Sequence, residues 1–368
     1  MTRLRSTHSE RLERWLGKER VEYLSRSMKG WYGPPIPILD CPGSVRVCGD
    51  GDFIGPFERG YFMTAIDALR EAYRRAAAVP PGKFYAGFTS ISDALARASG
   101  GYGQFRVFNK VGPTGVVAVT SSLWALGPQP PVGAAPGNAP GGTIYTSAST
   151  GAIAFANPAS GTMHLVGADI SASVINNSLL LYDRLFGCNK AMASTATEAV
   201  TGVPTRYQNT VATADDYIGG NFLFIQVGGT VLPATAHNWT VCTYLDQANA
   251  ASTLPSLTGN ASAIIHRLDH PVGQWFAPLE SGDVGIKALT QMQCSASVAT
   301  GIIWFAIGHP IGFMSFPVIN SMMPFDWLTN RNQAPRVFDS ACLALLEPLK
   351  PATTATTYTG AIHLTGAA

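Results

Sequence analysis

His266 and His270 stand four apart in the run HRLDH, the spacing at which a helix aims two imidazoles at one metal ion. The run lacks the glutamate expected in its second position, and Pro271 follows at once. Its surroundings read as a strand, Ile264–Arg267, in which residues four apart share a face but lie about 13 Å apart. The pair therefore reads as a loop or interface feature. The stretch SVRVCGDGDFIG (44–55) runs a strand into glycines, but Gly49, Gly51 and Gly55 give GxGxxxG in place of GxGxxG. Asp50 and Asp52 would set two negative charges where a pyrophosphate must sit, and Pro56 and Gly60 delay the helix that should cradle it. A tight turn between strands is the expectation, with weak Ca²⁺ ligation by the two aspartates as a minor option.

Nucleophilic chemistry has no better footing. There is no GxSxG elbow, and none of Cys41, Cys48, Cys188, Cys242, Cys294 and Cys342 sits in a nucleophile context or a CxxC pair, so neither a thiol enzyme nor a zinc site is expected. Buried free thiols are. A glycosidase needs two facing carboxylates. Beyond residue 82 the candidates are Asp215 with Asp216, Asp269, and Glu280 with Asp283, all in turn-like polar surroundings. No cofactor, no metal and no catalytic set is expected. Of the tryptophans after residue 82, Trp304 lies inside an apolar run and reads as core or interface. Trp275 and Trp327, beside proline and polar residues, are the candidate exposed pair, for subunit contact first and for glycan stacking second.

The elements that would carry these residues divide by charge. Residues 1–82 hold 13 Lys/Arg and 10 Asp/Glu, whereas the remaining 286 residues hold 12 and 13. The N-terminal part reads as a helical anchoring module. Thr7 and Glu10 form a capping box, and Leu12, Trp15, Tyr23 and Met28 recur at helical spacing up to the GWYGPP turn with Trp31 and Tyr32. A second helix is expected over 61–78. Glu10, Glu13, Glu19 and Glu22 are interleaved with the basic residues, which describes a solvated helix face and not a nucleic-acid arm. The first residues have no apolar h-region, and no run of 18 apolar residues occurs, so neither a signal peptide nor a membrane-spanning helix is expected.

Pro80-Pro81-Gly82 marks the boundary to a body, 83–368, possessing one brief helix over 92–98. Residues 127–142, with five prolines and five glycines, are expected to form a long exposed loop or spacer. Short strands separated by turn residues follow: 144–146, 163–166, 179–182, 222–227, 239–244, 264–267, 286–297, 302–307, 342–346 and 356–364. The expected fold is mainly β, an antiparallel sandwich or jelly-roll-like body, in one or two lobes, behind a small helical N-terminal module. Only 13% of residues are charged and the net charge is +2, which suits a surface covered by neighbouring subunits and gives no electrostatic footprint for nucleic acid.

The phrases LLLYDRLFG (179–187), TGVPTRY (201–207), GDVGIKALTQMQCSASVATG (282–301), APRVFDSACLALL (334–346) and TTATTYTGAIHL (353–364) resemble virion structural proteins of tailed bacteriophages. The resemblance covers roughly residues 84–368. It implies a β-rich, capsid-associated component (decoration, cement or minor capsid protein) that forms a homo-oligomer, contacts other virion proteins, and is made in the host cytoplasm. It transfers no functional residue. A major capsid shell protein fits less well, because such a protein carries a long spine helix and none is expected after residue 98. Two competing readings are a receptor- or glycan-binding tail or fibre module using Trp275, and a glycan-cleaving enzyme using Asp215, Asp216, Glu280 or Asp283.

Overall fold

The structure, a computed structural model, describes residue 88 and residues 90–158, 161–208, 220–328 and 334–367. The expected N-terminal helices, with Leu12, Trp15, Tyr23, Met28, Trp31 and Tyr32, lie outside the described residues. So do the 44–55 glycine stretch, Cys41, Cys48, Asp215 and Asp216.

The fold is mainly β and sandwich-like, with every strand pairing of its three sheets antiparallel and α1 (Ile91–Ser99) as the single helix among the described residues. Ser90 caps α1 by accepting from the Asp93 amide at 3.0 Å, and Gly100 closes it. The first sheet runs in the order β14 (Met323–Asp326), β5 (Thr162–Ala172), β17 (Thr357–Ala367), β1 (Gly103–Val111), β3 (Pro128–Gln129), with β15 (Arg336–Val337) also on β5. The second has β2 (Ser121–Ser122), β16 (Leu343–Glu347), β6 (Asn177–Ala191), β13 (Ile302–Phe316) and β8 (Phe222–Val227), with β4 (Thr143–Ile144) on β6. The third orders β10 (Ala251–Thr253), β9 (Asn238–Asp246), β12 (Ile286–Cys294) and β7 (Glu198–Ala199), with β11 (Leu257–Thr258) on β9.

The second sheet is the centre of the core because its strands are apolar on both faces, as buried strands are. On β6, Leu179 and Leu181 join Leu223, Ile225, Leu343 and Leu345 in the main core, while Leu180 and Tyr182 face the other way to Phe222, Phe224 and Ala344. Trp124 and Trp304 close that second layer. The strand expected to stop at Ile307 continues to Phe316. Pro310 is accommodated at a register shift between Pro310 and Gly312, where a missing amide does not break the ladder.

Three expectations are corrected. Residues 264–267 are not a strand: His266 has φ +75°, and only isolated bridges from Arg267 to Ser121 and from Leu268 to Gln226 form there. The 127–142 segment is mostly exposed, as a loop should be, but it is anchored to the body and is not a free spacer. Pro130, Gly133 and Pro136 are buried, and the Ala134 carbonyl accepts from Trp124 Nε1 at 2.9 Å. Trp327 is 1% exposed, so it is a core residue: it follows directly on β14 and packs on the Gly312 bulge, where no side chain would fit.

Candidate functional site

Chemistry requires ionisable groups that a substrate can reach, and several of the candidates here are sealed. Asp269 accepts from His237 Nε2 at 2.9 Å, Trp239 Nε1 at 2.8 Å and the Asn260 amide at 2.6 Å. His237 Nδ1 faces the Thr235 carbonyl at 3.1 Å, so both ring nitrogens meet acceptors, an arrangement that favours the protonated ring. Burial opposes that charge, but the Asp269 carboxylate outweighs it and raises the histidine above its ordinary value. With both nitrogens committed and both residues buried, the pair ties the start of β9 to the 259–270 turn. His270 serves the same turn: its Nε2 accepts from the Ile225 amide at 2.8 Å, and burial lowers its pKa to about 4. His266 and His270 therefore share no ion, and among the described residues no group of His, Cys, Asp and Glu is arranged to hold a metal.

Other carboxylates are likewise occupied inside the fold. Glu347 Oε1 accepts from Asn177 Nδ2 at 2.7 Å and the Tyr358 hydroxyl at 3.0 Å, with Lys350 Nζ at 3.1 Å from Oε2. Lys190 meets Glu198 at 2.6 Å. Arg206 holds Asp183, and next to it the Arg184 guanidinium lies over the rings of Tyr145, Trp124 and Phe224 at 4.8, 5.0 and 5.6 Å. Glu280 and Asp283 do not face each other across a cleft. They stand in one turn, closed by the Asp283 amide on the Glu280 carbonyl at 3.1 Å. Tyr244 hydroxyl donates to Asp283 at 2.5 Å and accepts from the Glu280 amide at 2.9 Å. Burial, with Asp283 beside it, pushes that hydroxyl up to about 12.

Among the described residues, two surface regions offer a cleft or groove. The first is a cleft of about 270 Å³ lined by Asn221, Phe222, Trp275, Phe276, Leu279 and Asp283 among others. Trp275 is half-buried and sits edge-on to Phe222, Phe276 and Phe313, at 5.1, 4.6 and 5.3 Å between ring centres. Phe276 and Phe313 are partly exposed, so the rim is aromatic with a carboxylate at one side. Of the two tryptophans expected at the surface, Trp275 alone reaches it.

The second is a groove of about 510 Å³ across the outer face of the first sheet. Leu95 and Ala98 of α1 form one wall; Phe105, His363, Asp169 and Pro324 come from four adjacent strands. Phe105 stacks on His363 with ring centres 4.2 Å apart, and His363 Nε2 lies 3.1 Å from Asp169. Strand β1 has an inverted alternation: Phe105 and Val107 point outward, 61% and 68% exposed, while Gln104, Arg106 and Lys110 point the other way. Lys110 is buried without an acid, donating to the Leu126 carbonyl at 2.5 Å and the Pro130 carbonyl at 2.9 Å, and burial lowers it to about 8. Sequence reasoning missed this strand. The alternation in QFRVFNK was its signal, but Phe105 and Val107 lie on the solvent side and Phe108 alone is apolar on the buried face, so no apolar stripe announced it.

Comparison with protein-family models, with curated proteins and with solved structures yields no match. Among the described residues no helix is long and apolar enough to cross a membrane.

Proposed function

We propose that this chain is a structural component of a bacteriophage virion, capsid-associated as a decoration, cement or minor capsid protein, that works through contacts with its own copies and with other virion proteins. The observation that carries the reading is the pairing of sealed charges with an uncovered apolar face. Asp183, Asp269 and Glu347 are each fully buried and hydrogen-bonded, while Phe105 and Val107 stand out from the first sheet. A surface that leaves large apolar groups on a sheet and keeps charge inside gains by being covered. The phage phrases quoted above supply the particle. The test is light scattering on the full chain together with immunodetection in purified virions of the phage that encodes it. A defined oligomer and a stoichiometric virion band are expected. A monomer at high concentration, with no signal in particles, would overturn the reading.

A receptor- or glycan-binding role is the second reading, favoured by the Trp275 rim. Flat aromatic faces beside a carboxylate suit the apolar face and hydroxyls of a sugar ring. Trp275→Ala would then abolish attachment to host cells while the oligomer persists.

A further inference from the structure

Among the described residues, β1 is open on one side over most of its length, because β3, the last strand of the first sheet, spans only two residues. Strand β1 pairs with β17 from Gly103 opposite Thr365 to Val111 opposite Thr357, but β3 covers its other side only at Asn109 and Lys110. The direction of each backbone group follows from the flanking bonds. Gly366 donates to the Tyr102 carbonyl and Gly112 donates to the Thr356 carbonyl, so even-numbered positions bond toward β17. Val111 donates to the Gly127 carbonyl on the opposite side, so odd-numbered positions point away from β17. At Gly103, Phe105 and Val107 those outward amides and carbonyls meet no backbone partner among the described residues. An extended edge with a single charged side chain, Arg106, and with Phe105 and Val107 beside it is a template for another strand.

We propose that β1 pairs antiparallel with β1 of a second copy of this chain, across a two-fold axis at Phe105, joining two first sheets into one. This rests on the homo-oligomer reading above and names its surface. Charge sets the register and leaves the edge compatible with a second copy of itself. The only charged side chain between Gly103 and Asn109 is Arg106. An axis at Arg106 would set two guanidiniums directly opposite, which destabilises a ladder. An axis at Phe105 sets Arg106 opposite Gln104 of the partner subunit. There the guanidinium meets a neutral amide, whose Oε1 already accepts from Arg106 Nη2 and from the Ala156 backbone amide of its own chain. The same axis brings Gly103 opposite Val107 of the partner subunit and Phe105 opposite its own copy, each a closely bonded pair using the outward amides. The Phe105 and Val107 side chains of both copies then form one apolar strip on the outer face. A two-fold contact closes on itself, so the edge is consumed and does not propagate into a fibre.

The test uses the full chain in three variants beside the unsubstituted protein. Directly opposed positions of an antiparallel pair lie about 5.5 Å apart at Cα, within disulfide reach, whereas 106 and its copy lie beyond about 7 Å. Under mild oxidation F105C is expected to give a covalent dimer bridged at position 105, identified by peptide mass spectrometry, and R106C is not. V107P removes one outward amide and no bond to β17, so the melting curve should hold while the mass by light scattering falls to half. If F105C stays unbridged and V107P keeps the parent mass of a defined oligomer, the edge pairing is overturned and assembly proceeds through another surface. If the unsubstituted chain is monomeric and F105C stays unbridged, both the pairing and the oligomer reading fall.

Discussion

Arg206 grips Asp183 through two bonds, Nε to Oδ2 at 2.7 Å and Nη2 to Oδ1 at 2.8 Å, and the Cys342 amide adds a third at 2.8 Å to Oδ1. The three residues lie in LLLYDRLFG, TGVPTRY and APRVFDSACLALL, far apart in the chain. One buried carboxylate therefore gathers β6, the 201–207 segment and the start of β16. Arg206 Nη2 also donates to the Tyr145 carbonyl at 2.9 Å, which brings in the segment after β4.

Breaking this knot on one side should be severe. Asp183→Asn leaves the Arg206 charge buried without its counterion, an arrangement that costs about 3–5 kcal/mol. The Asp183→Leu/Arg206→Met double change removes both charges and should cost less than the two single changes added together. Urea unfolding of the four proteins gives the coupling; strict additivity would refute the coupled pair.

Acid should destabilise the body through two neutral histidines, His270 buried and His309 partly so. His270 and His309 are both lowered to about 4, by burial in each case, from an ordinary value near 6.5. The unfolded chain binds their protons first, so stability falls as pH drops from 6.5 toward 4, by at most about 3 kcal/mol for each ring. His309 stacks on Tyr207 with centres 3.8 Å apart, a contact a phenyl ring keeps. His309→Phe should reduce the slope of stability against pH in that window, measured by denaturant melts at fixed pH values.

Lys110 predicts the opposite sense in alkali. Its folded value, about 8, lies below the unfolded one near 10.4, so the native state sheds its proton first and stability rises between pH 8 and 10. Tyrosines titrating above that range affect parent and variant alike. The stability difference between the parent and Lys110→Met should therefore shift in favour of the parent, by up to about 3 kcal/mol, as pH rises through the window.

The two tryptophans expected at the surface should now separate. Trp327→Ala opens a cavity beside Gly312 and should cost about 3–5 kcal/mol. Trp275→Ala, at the half-exposed rim, should cost clearly less. Thermal melts of the pair decide it, and equal losses would refute the burial difference.

Much of the fold was legible because its strands obey local rules. Continuous apolar runs such as NFLFIQV and LLLY announce strands buried on both faces, and glycine, asparagine and proline punctuate them. The segment 222–227 matches β8 residue for residue. Local rules failed where a neighbour decided the outcome. The strand expected over 302–307 runs on to Phe316 through a bulge after Pro310, because β6 continues opposite it.

The candidate surfaces were less legible, since exposure is a property of packing and not of residue type. Nothing in the run FDW distinguishes Trp327 from the tryptophan in QWF; the Gly312 bulge buries the first, and the chain path at the 220–222 cleft leaves the second at the rim. What the sequence determined by itself was the β class, the low charge and the sites of turns, all set by side-chain period and backbone preference within a few residues. Only the tertiary structure decided that Asp183, Asp269 and Glu347 are sealed and that Phe105 and Val107 face outward. Those outcomes depend on which distant strand lies alongside, and pairing partners 170 or more residues apart, such as Asn177 and Glu347, leave no local trace.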